Sequence, residues 1–341
     1  MKIRNLVQEF VTGEEKGYDS SHASTLLQLK DGNILAAWFG GSWEGENDVA
    51  IWGARRVNGV WETPRILADV WDVPCWNPVL FRKEDGGIIL FFKVGRTIPI
   101  WKTWYVESYD EGVTFTKPKE LVENDPFDGR GPVKNKPIRL ADHTVLAPAS
   151  WEDNNWDAFV DISTDDCKTW TTSQLVPLRR SCYDIQMVDR PYDKHYIWGQ
   201  GVIQPTLWQD AEGDVHMFLR STSSKIFRSD SKDGGRTWCT AYDTGLPNNN
   251  SGIDLVKLNN GDLVLVYNPR ENLPNYHKGP RTPLTVALSK DNGETFEEIL
   301  VLEDKPGNYC YPAVICNEEG KIMITYTWNR ENIVYCEFEL E

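Results

Sequence analysis

The segment S-K-D-G-G-R-T-W, Ser231 to Trp238, recurs in near copy at three other places in the chain. S-Y-D-E-G-V-T-F begins at Ser108, S-T-D-D-C-K-T-W at Ser163 and S-K-D-N-G-E-T-F at Ser289. Every copy keeps the Ser, the Asp two positions on, the Thr six positions on and a terminal aromatic. Gly holds the fifth place everywhere except at Cys167. Recurrence at such separations marks a chain built from one supersecondary unit repeated along its length. The phrase is also a turn in its own right. Its Asp carboxylate accepts hydrogen bonds from backbone N–H groups of the same turn, and Gly takes the positive φ that such a turn needs. The aromatic then anchors the hairpin in the core of its unit.

A second repeat runs out of phase with the first. It consists of an apolar run, a turn built on Gly or Asp, and another apolar run. Its six copies start at Thr25, Pro78, Pro137, Pro205, Asp254 and Pro312, with turn centres near Gly32, Gly86, Asp142, Gly213, Gly261 and Gly320. Asp-Gly, Asn-Gly and Glu-Gly between β-rich runs are hairpin signals. The separation of the turns suits a four-stranded antiparallel blade. Six such blades closed in a ring give an all-β six-bladed β-propeller, an architecture that shields its sheet edges by radial repetition. No long segment has helical periodicity. The chain ends in N-I-V-Y-C-E-F-E-L, which reads as the third strand of the last blade. The N-terminal I-R-N-L-V-Q-E-F-V is then expected to add the outer strand and close the ring. The widest gap between copies holds Arg179 to Tyr196, where a long loop is expected over one end of the ring. The six units together are expected to form one domain over residues 1–341.

Composition narrows the choice of partner. A formal charge of −15 argues against nucleic acid and against an anionic membrane surface. An anionic ligand therefore needs cations gathered locally against the overall field. Fifteen Trp, 13 Tyr and 12 Phe suit strands and sugar-stacking surfaces alike. Seven Cys without a short regular spacing give neither a disulfide framework nor a zinc site, and Cys310 with Cys316 leaves a pairing open. No metal and no cofactor is expected: no phosphate-binding Gly pattern, metal-ligand spacing or Ser nucleophile elbow is present. No apolar run approaches the roughly 18 residues of a membrane span. The polar N-terminus lacks the apolar core of a secretion signal, so a cytoplasmic location is expected. Nothing in the sequence sets an oligomeric state.

The eight-residue phrases resemble the Asp boxes of the sialidase (neuraminidase) superfamily, whose members are six-bladed propellers. The resemblance extends over all six units, and W-N-P-V-L, N-K-P-I, I-Q-P-T and Y-T-W-N-R add to its likeness to the predicted-neuraminidase group. In that superfamily three arginines grip a sugar carboxylate, a Tyr paired with a Glu is the nucleophile, and an Asp near the first blade is acid/base. The resemblance implies Arg220, in F-L-R-S, and Arg281, in G-P-R-T-P, as carboxylate ligands and Tyr311, in Y-P-A-V-I, as nucleophile. Two guanidiniums bind one carboxylate through paired charge-assisted bonds. At three places the pattern changes. His22 stands where the first-blade Arg belongs, and Gln204 where the Glu partner of the Tyr belongs. A neutral amide orients a phenol but cannot take its proton. In G-G-S-W-E-G-E-N-D the acid/base position is shared among Glu44, Glu46 and Asp48.

Polar residues also sit just ahead of the apolar run in each unit: His22, Asn77, Asn135 with Lys136, Gln204, Asp254 and Tyr311. Six strand starts around one axis are expected to line a common pocket. Lys93 ends an inner-strand pattern in F-F-K-V-G, and Trp43, Trp76 and Trp328 are candidates for stacking on a sugar face. The expected partner is an acidic carbohydrate. Three readings stay open: an exo-acting glycoside hydrolase releasing a terminal acidic sugar, a polysaccharide lyase acting on a uronate with His22 or Tyr311 as base or acid and Arg220 or Lys136 steadying the enolate, and a sugar-binding propeller without catalysis.

Overall fold

The computed structural model describes residues 2–13, 16–125, 129–153, 155–180, 201–274 and 276–341, together with the backbone pair Gln186–Met187 and Ile197–Trp198. From residue 181 on, the loop expected over Arg179–Tyr196 lies outside the described residues apart from that pair.

Each repeated phrase closes the same way. In the copy at Ser231, the Ser231 hydroxyl donates to Asp233 at 2.8 Å and accepts from Gly235 N at 2.9 Å. Asp233 in turn accepts from Thr237 N at 2.9 Å and from the Thr237 hydroxyl at 2.6 Å. The copies at Ser108, Ser163 and Ser289 repeat this pattern with Asp110, Asp165 and Asp291. The fifth residue is left-handed in all of them, with φ of 77° at Gly112, 83° at Gly235, 84° at Gly293 and 71° at Cys167. Trp170 and Trp238 are buried at the ends of their phrases.

Around these turns the strands assemble into six antiparallel blades. Blade one holds Ser20–Gln28, Ile34–Gly41 and Ala50–Val57, with Arg65–Ala68 and Val60–Trp61 outside them. Blade two runs from Cys75–Arg82 through Ile88–Val94 and Lys102–Ser108 to Lys119–Glu120. Blade three comprises Ile138–Arg139, Val145–Glu152, Trp156–Ser163 and Thr171–Thr172. Val202–Gln209, Val215–Ser221, Lys225–Ser231 and Tyr242–Pro247 make blade four. Blade five follows with Asp254–Lys257, Leu263–Tyr267, Leu284–Ser289 and Glu297–Glu303. Blade six takes Tyr309–Cys316, Lys321–Trp328 and Asn332–Leu340 from the end of the chain. Its fourth strand is Ile3–Phe10, antiparallel to Asn332–Leu340, so the two ends of the chain close the ring as the sequence indicates.

The second strands of blades one, two, four and five are buried along their whole length, as in Ile88–Val94 and Leu263–Tyr267, because neighbouring blades cover both faces. That is why they read as continuous apolar runs rather than alternating ones. The outer strand Ile3–Phe10 meets solvent and is mostly exposed. Each pair of adjacent blades has its own apolar layer. Leu35 and Phe39 meet Leu90 and Phe92 between blades one and two, and Trp38 and Leu26 meet Met323 and Tyr335 where blade six returns to blade one.

One feature of the innermost strands positions everything at the axis. In blades one, two, four and six the register slips by a β-bulge, between His22 and Thr25, Trp76 and Val79, Ile203 and Thr206, and Cys310 and Ala313. A left-handed residue sits in each bulge: Ala23, Asn77, Gln204 and Tyr311, with φ between 39° and 54°. Such a conformation is uncommon for Gln or Tyr, and a bulge re-aims the side chain that occupies it.

Two predictions follow from the turns. The carboxyl groups of Asp110, Asp233 and Asp291 are lowered to a pKa of about 2, below the usual carboxylate range. At Asp110 and Asp233 partial burial opposes ionisation but is outweighed by the Thr and backbone donors; at Asp291 the Thr295 hydroxyl leads. A depressed carboxylate stabilises the fold above its unfolded pKa and loses that contribution as pH falls through the folded value. The melting temperature should therefore drop steeply between about pH 4 and pH 2, and Asp291→Asn should flatten part of that drop in a pH series of thermal melts. Second, Cys167 occupies a left-handed position that favours Gly. Cys167→Gly should stabilise the chain by about 1 kcal/mol in denaturant titration, the strain relieved outweighing the lost thiol contact.

Candidate functional site

Arg220 ends the second strand of blade four, and its guanidinium gathers side chains from three blades. Nη1 donates to the Tyr311 phenol oxygen at 2.9 Å and to Gln204 Oε1 at 3.0 Å, while Nε donates to Asn250 Oδ1 at 2.8 Å. The same group lies 5.2 Å from the Trp156 ring centroid, a cation–π approach that fixes its plane. Gln204 and Tyr311 reach it because both are bulge residues of their inner strands.

Arg281 approaches the Tyr311 ring from blade five, at 5.6 Å, and donates to Cys310 Sγ at 2.9 Å. His22 also packs against the Tyr311 ring, with ring centroids 4.3 Å apart, its Nδ1 2.9 Å from the Thr327 hydroxyl. Burial pushes His22 well below the usual imidazole range, and the charges of Arg330, Arg281, Lys134 and Arg220 push the same way. The imidazole is therefore neutral at neutral pH. Four cations thus converge on the Tyr311–His22 pair inside a chain of charge −15.

The three loop acids separate. Glu44 reaches inward, its Oε2 2.6 Å from Arg330 Nη1, and its charge is felt at Arg281. Asp48 holds its own loop closed, accepting from Ser42 N and the Ser42 hydroxyl at 2.9 Å each. Glu46 is exposed. Beside Glu44, Trp43 is 58% exposed with the Arg330 guanidinium 5.9 Å from its ring. Trp76 is buried and donates to Gly95 O, and Trp328 is half-buried and packs against Phe10 and Tyr309.

The remaining strand-start residues tie blades together. Asn77 donates to Val133 O at 3.0 Å, and Asn135 donates to Gln204 O and Pro205 O at 3.0 and 2.9 Å. Lys136 and Asp254 bind one another at 2.9 Å, and Asp254 also accepts from Thr206 and from Val314 N. Lys93 is fully buried between blades two and three, donating to Thr103 Oγ1 at 2.6 Å and to Arg130 O at 2.9 Å. Cys310 and Cys316 are both free thiols.

Three site residues were not singled out by sequence reasoning. Arg330 lies in the Y-T-W-N-R run, which was visible as a motif but carried no role. Glu152 follows blade three's Ser150 and is buried, accepting from the Ser150 hydroxyl at 3.1 Å and from Gln204 Nε2 at 3.2 Å. Burial raises its carboxyl above the usual range, with Arg220 pulling the other way. Lys134 is buried below Tyr311, 5.9 Å from its ring. No local pattern assigns a role to any of them, since Glu44, Gln204 and Tyr311, which they meet, lie on other blades. Among the described residues no three His, Cys, Asp or Glu side chains form a metal-ligand group.

This arrangement can hold an anion by charge-assisted hydrogen bonds and bring a phenol, a neutral imidazole and the Glu44 carboxyl group towards whatever carries that anion. Comparison with solved structures agrees on the architecture. A crystal structure of a protein of unknown function from Dyadobacter fermentans superposes with a TM-score of 0.77 at 16% identity, covering 99% of this chain and all of that one, 100%. The Hadza microbial sialidase Hz136 gives 0.75 at 16% identity, over 98% of this chain and 68% of its own. The intramolecular trans-sialidase of Ruminococcus gnavus, solved with oseltamivir carboxylate, gives 0.71 at 12% identity, over 97% and 96%. At such identities the likeness is one of fold. No curated protein matches the chain significantly. A family model for the BNR repeat-like domain matches residues 32–324, which is most of the propeller, and the chain belongs to that family.

Proposed function

We propose that the chain is an exo-acting glycoside hydrolase that releases a terminal acidic sugar from an oligosaccharide or glycoconjugate. The observation that carries this reading is the convergence of Arg220 and Arg281 on Tyr311, which pairs an anion-binding site with a nucleophile at one point of the axis. The sialidases among the structural neighbours support it as an analogy of fold.

In this reading the sugar carboxylate lies against Arg220 and Arg281, and the neutral His22 stands beside the phenol as its base. The Tyr311 oxygen attacks the anomeric carbon and its proton passes to the neutral His22. The glycosidic C–O bond breaks, and its oxygen takes a proton from Glu44, the loop acid beside Arg330. Glu44 takes up that proton from solvent once the substrate anion has replaced it at the Arg330 guanidinium. Water then attacks the glycosyl–tyrosine bond with Glu44 acting as base, and His22 returns its proton to the phenol. Two displacements leave the configuration of the sugar retained. Glu152 holds the Gln204 amide with its oxygen towards Arg220, which keeps the guanidinium plane facing the phenol.

Gln204 and His22 favour one other reaction. With no carboxylate bonded to the phenol among the described residues and a neutral imidazole against it, the same residues suit removal of the proton α to a uronate carboxylate, as in a lyase. Products distinguish the two. Hydrolysis releases a free terminal acid of retained configuration, seen by mass spectrometry and NMR, whereas elimination gives an unsaturated uronate that absorbs in the ultraviolet.

On a panel of α-sialosides and uronate-terminated oligosaccharides, Tyr311→Phe should lower kcat by roughly 100-fold or more with little change in KM. Arg281→Lys should instead raise KM strongly, because an ammonium does not reproduce a guanidinium fork. Glu44→Gln should slow substrates with poor leaving groups by about 100-fold and spare activated aryl glycosides, which need no proton. Binding of an acidic sugar without any turnover in the wild type would reduce the site to a binding site.

A further inference from the structure

Residues 133–136 enter blade three beside the axis and touch four other blades. Asn77 of blade two donates to Val133 O, Asn135 donates to blade four, Lys134 reaches blades five and six, and Lys136 pairs with Asp254 of blade five. Lys134 is the centre of this hub. Its Nζ donates to Asn135 Oδ1 at 2.8 Å, to Ile253 O at 3.0 Å and to Pro312 O. Three N–H donors thus meet three acceptors, the full capacity of an ammonium group. The third acceptor matters most, because Pro312 directly follows the bulged Tyr311, whose φ is 54°. Gly252 leaves room for the contact: a Cβ there would lie 3.2 Å from Lys134 Cε and 3.4 Å from the Tyr311 ring.

We propose that Lys134 is a positioning residue for Tyr311: its ammonium clamps the bulge of blade six through the Pro312 carbonyl, and losing a proton loosens the clamp. A neutral amine has two N–H groups and a lone pair, so one of the three carbonyl acceptors is left without a donor. A buried acceptor without a donor is costly, and the strand nearest the phenol then relaxes. The inference rests on the reading of Tyr311 as the reacting group.

The groups facing Lys134 come from every side of the axis. Burial lowers its pKa to about 7; Asp254 opposes this, Lys136 adds to it, Cys310 opposes it and Arg220 adds to it. Blade one presents His22, which is already neutral, and blade two the uncharged Asn77. The ammonium therefore holds Tyr311 below about pH 7 and releases it above.

The test is NMR of the protein with ring-labelled tyrosine, the Tyr311 signal being identified by its loss in Tyr311→Phe. In the wild type that signal should move with a midpoint near pH 7, and in Lys134→Met it should stay fixed across the range. Lys134→Arg keeps a permanent charge at the same place and should also abolish the transition, which covers the case in which the Met variant does not fold. A pH-independent Tyr311 signal in the wild type overturns the proposal, as does a transition that survives both substitutions. Where turnover is found, kcat should fall as pH rises through about 7 with KM unchanged, and Lys134→Arg should remove that limb. A ring transition in a protein that cleaves no glycan sinks the proposed reaction and leaves the positioning role standing. Turnover without the transition does the reverse.

Discussion

Six inner strands crowd around one axis, and every backbone carbonyl and amide there must find a partner without bulk water. That requirement governs the middle of the molecule. The donors come from side chains rather than from a seventh strand: Asn77, Lys134, Asn135 and Lys136 each donate to the backbone of another blade, and Asp254 accepts from Thr206 and Val314 N. These bonds set the relative rotation of the blades. They also set where the bulged residues Gln204 and Tyr311 stand, since Asn135 binds the carbonyl of one and Lys134 the carbonyl just after the other.

Electrostatics at the axis runs against the rest of the chain. The surface carries the acids that give the net −15, whereas Arg220, Arg281, Arg330 and Lys134 all bear on His22. Gathering like charges in a dry centre is unfavourable unless acceptors surround them. Here Asn250, Gln204, the Cys310 thiol, Glu44 and three main-chain or amide oxygens do so. The surplus of positive charge is the physical basis for expecting an anionic ligand. It also explains why His22 is neutral and why Glu152 matters: its carboxyl group orients the amide that keeps Arg220 in place.

The scaffold separates this centre from the parts that give it strength. Apolar layers between each pair of blades supply most of the burial, and the turn phrases secure the outer hairpins far from the chemistry. Pairing of Ile3–Phe10 with Asn332–Leu340 joins the two ends of the chain in one sheet, and the apolar layer between blades six and one brings Val11 and Leu26 against Met323 and Tyr335.

Much of this was legible along the chain because it is local. The Ser-x-Asp phrases, the Gly-centred hairpins and the unpaired N-terminal strand specify blades, their number and their closure through contacts a few residues apart or through one terminal pairing. Arg220, Arg281 and Tyr311 were singled out by the resemblance of their motifs to a known family, and the structure brings them together. The rest was decided at the axis. Asn77, Asn135, Lys136 and Asp254 occupy the same strand starts as Gln204 and Tyr311, yet they are consumed in ties between blades. Asp48 and Glu44 share one loop, yet only the latter reaches an arginine. Arg330, Glu152 and Lys134 acquire their roles solely from neighbours on other blades. Sequence determines which way a strand runs and where it turns. Which polar side chain meets a ligand and which one satisfies a neighbouring carbonyl depends on bulges and on the packing of six strands about an axis, and only the closed ring fixes that.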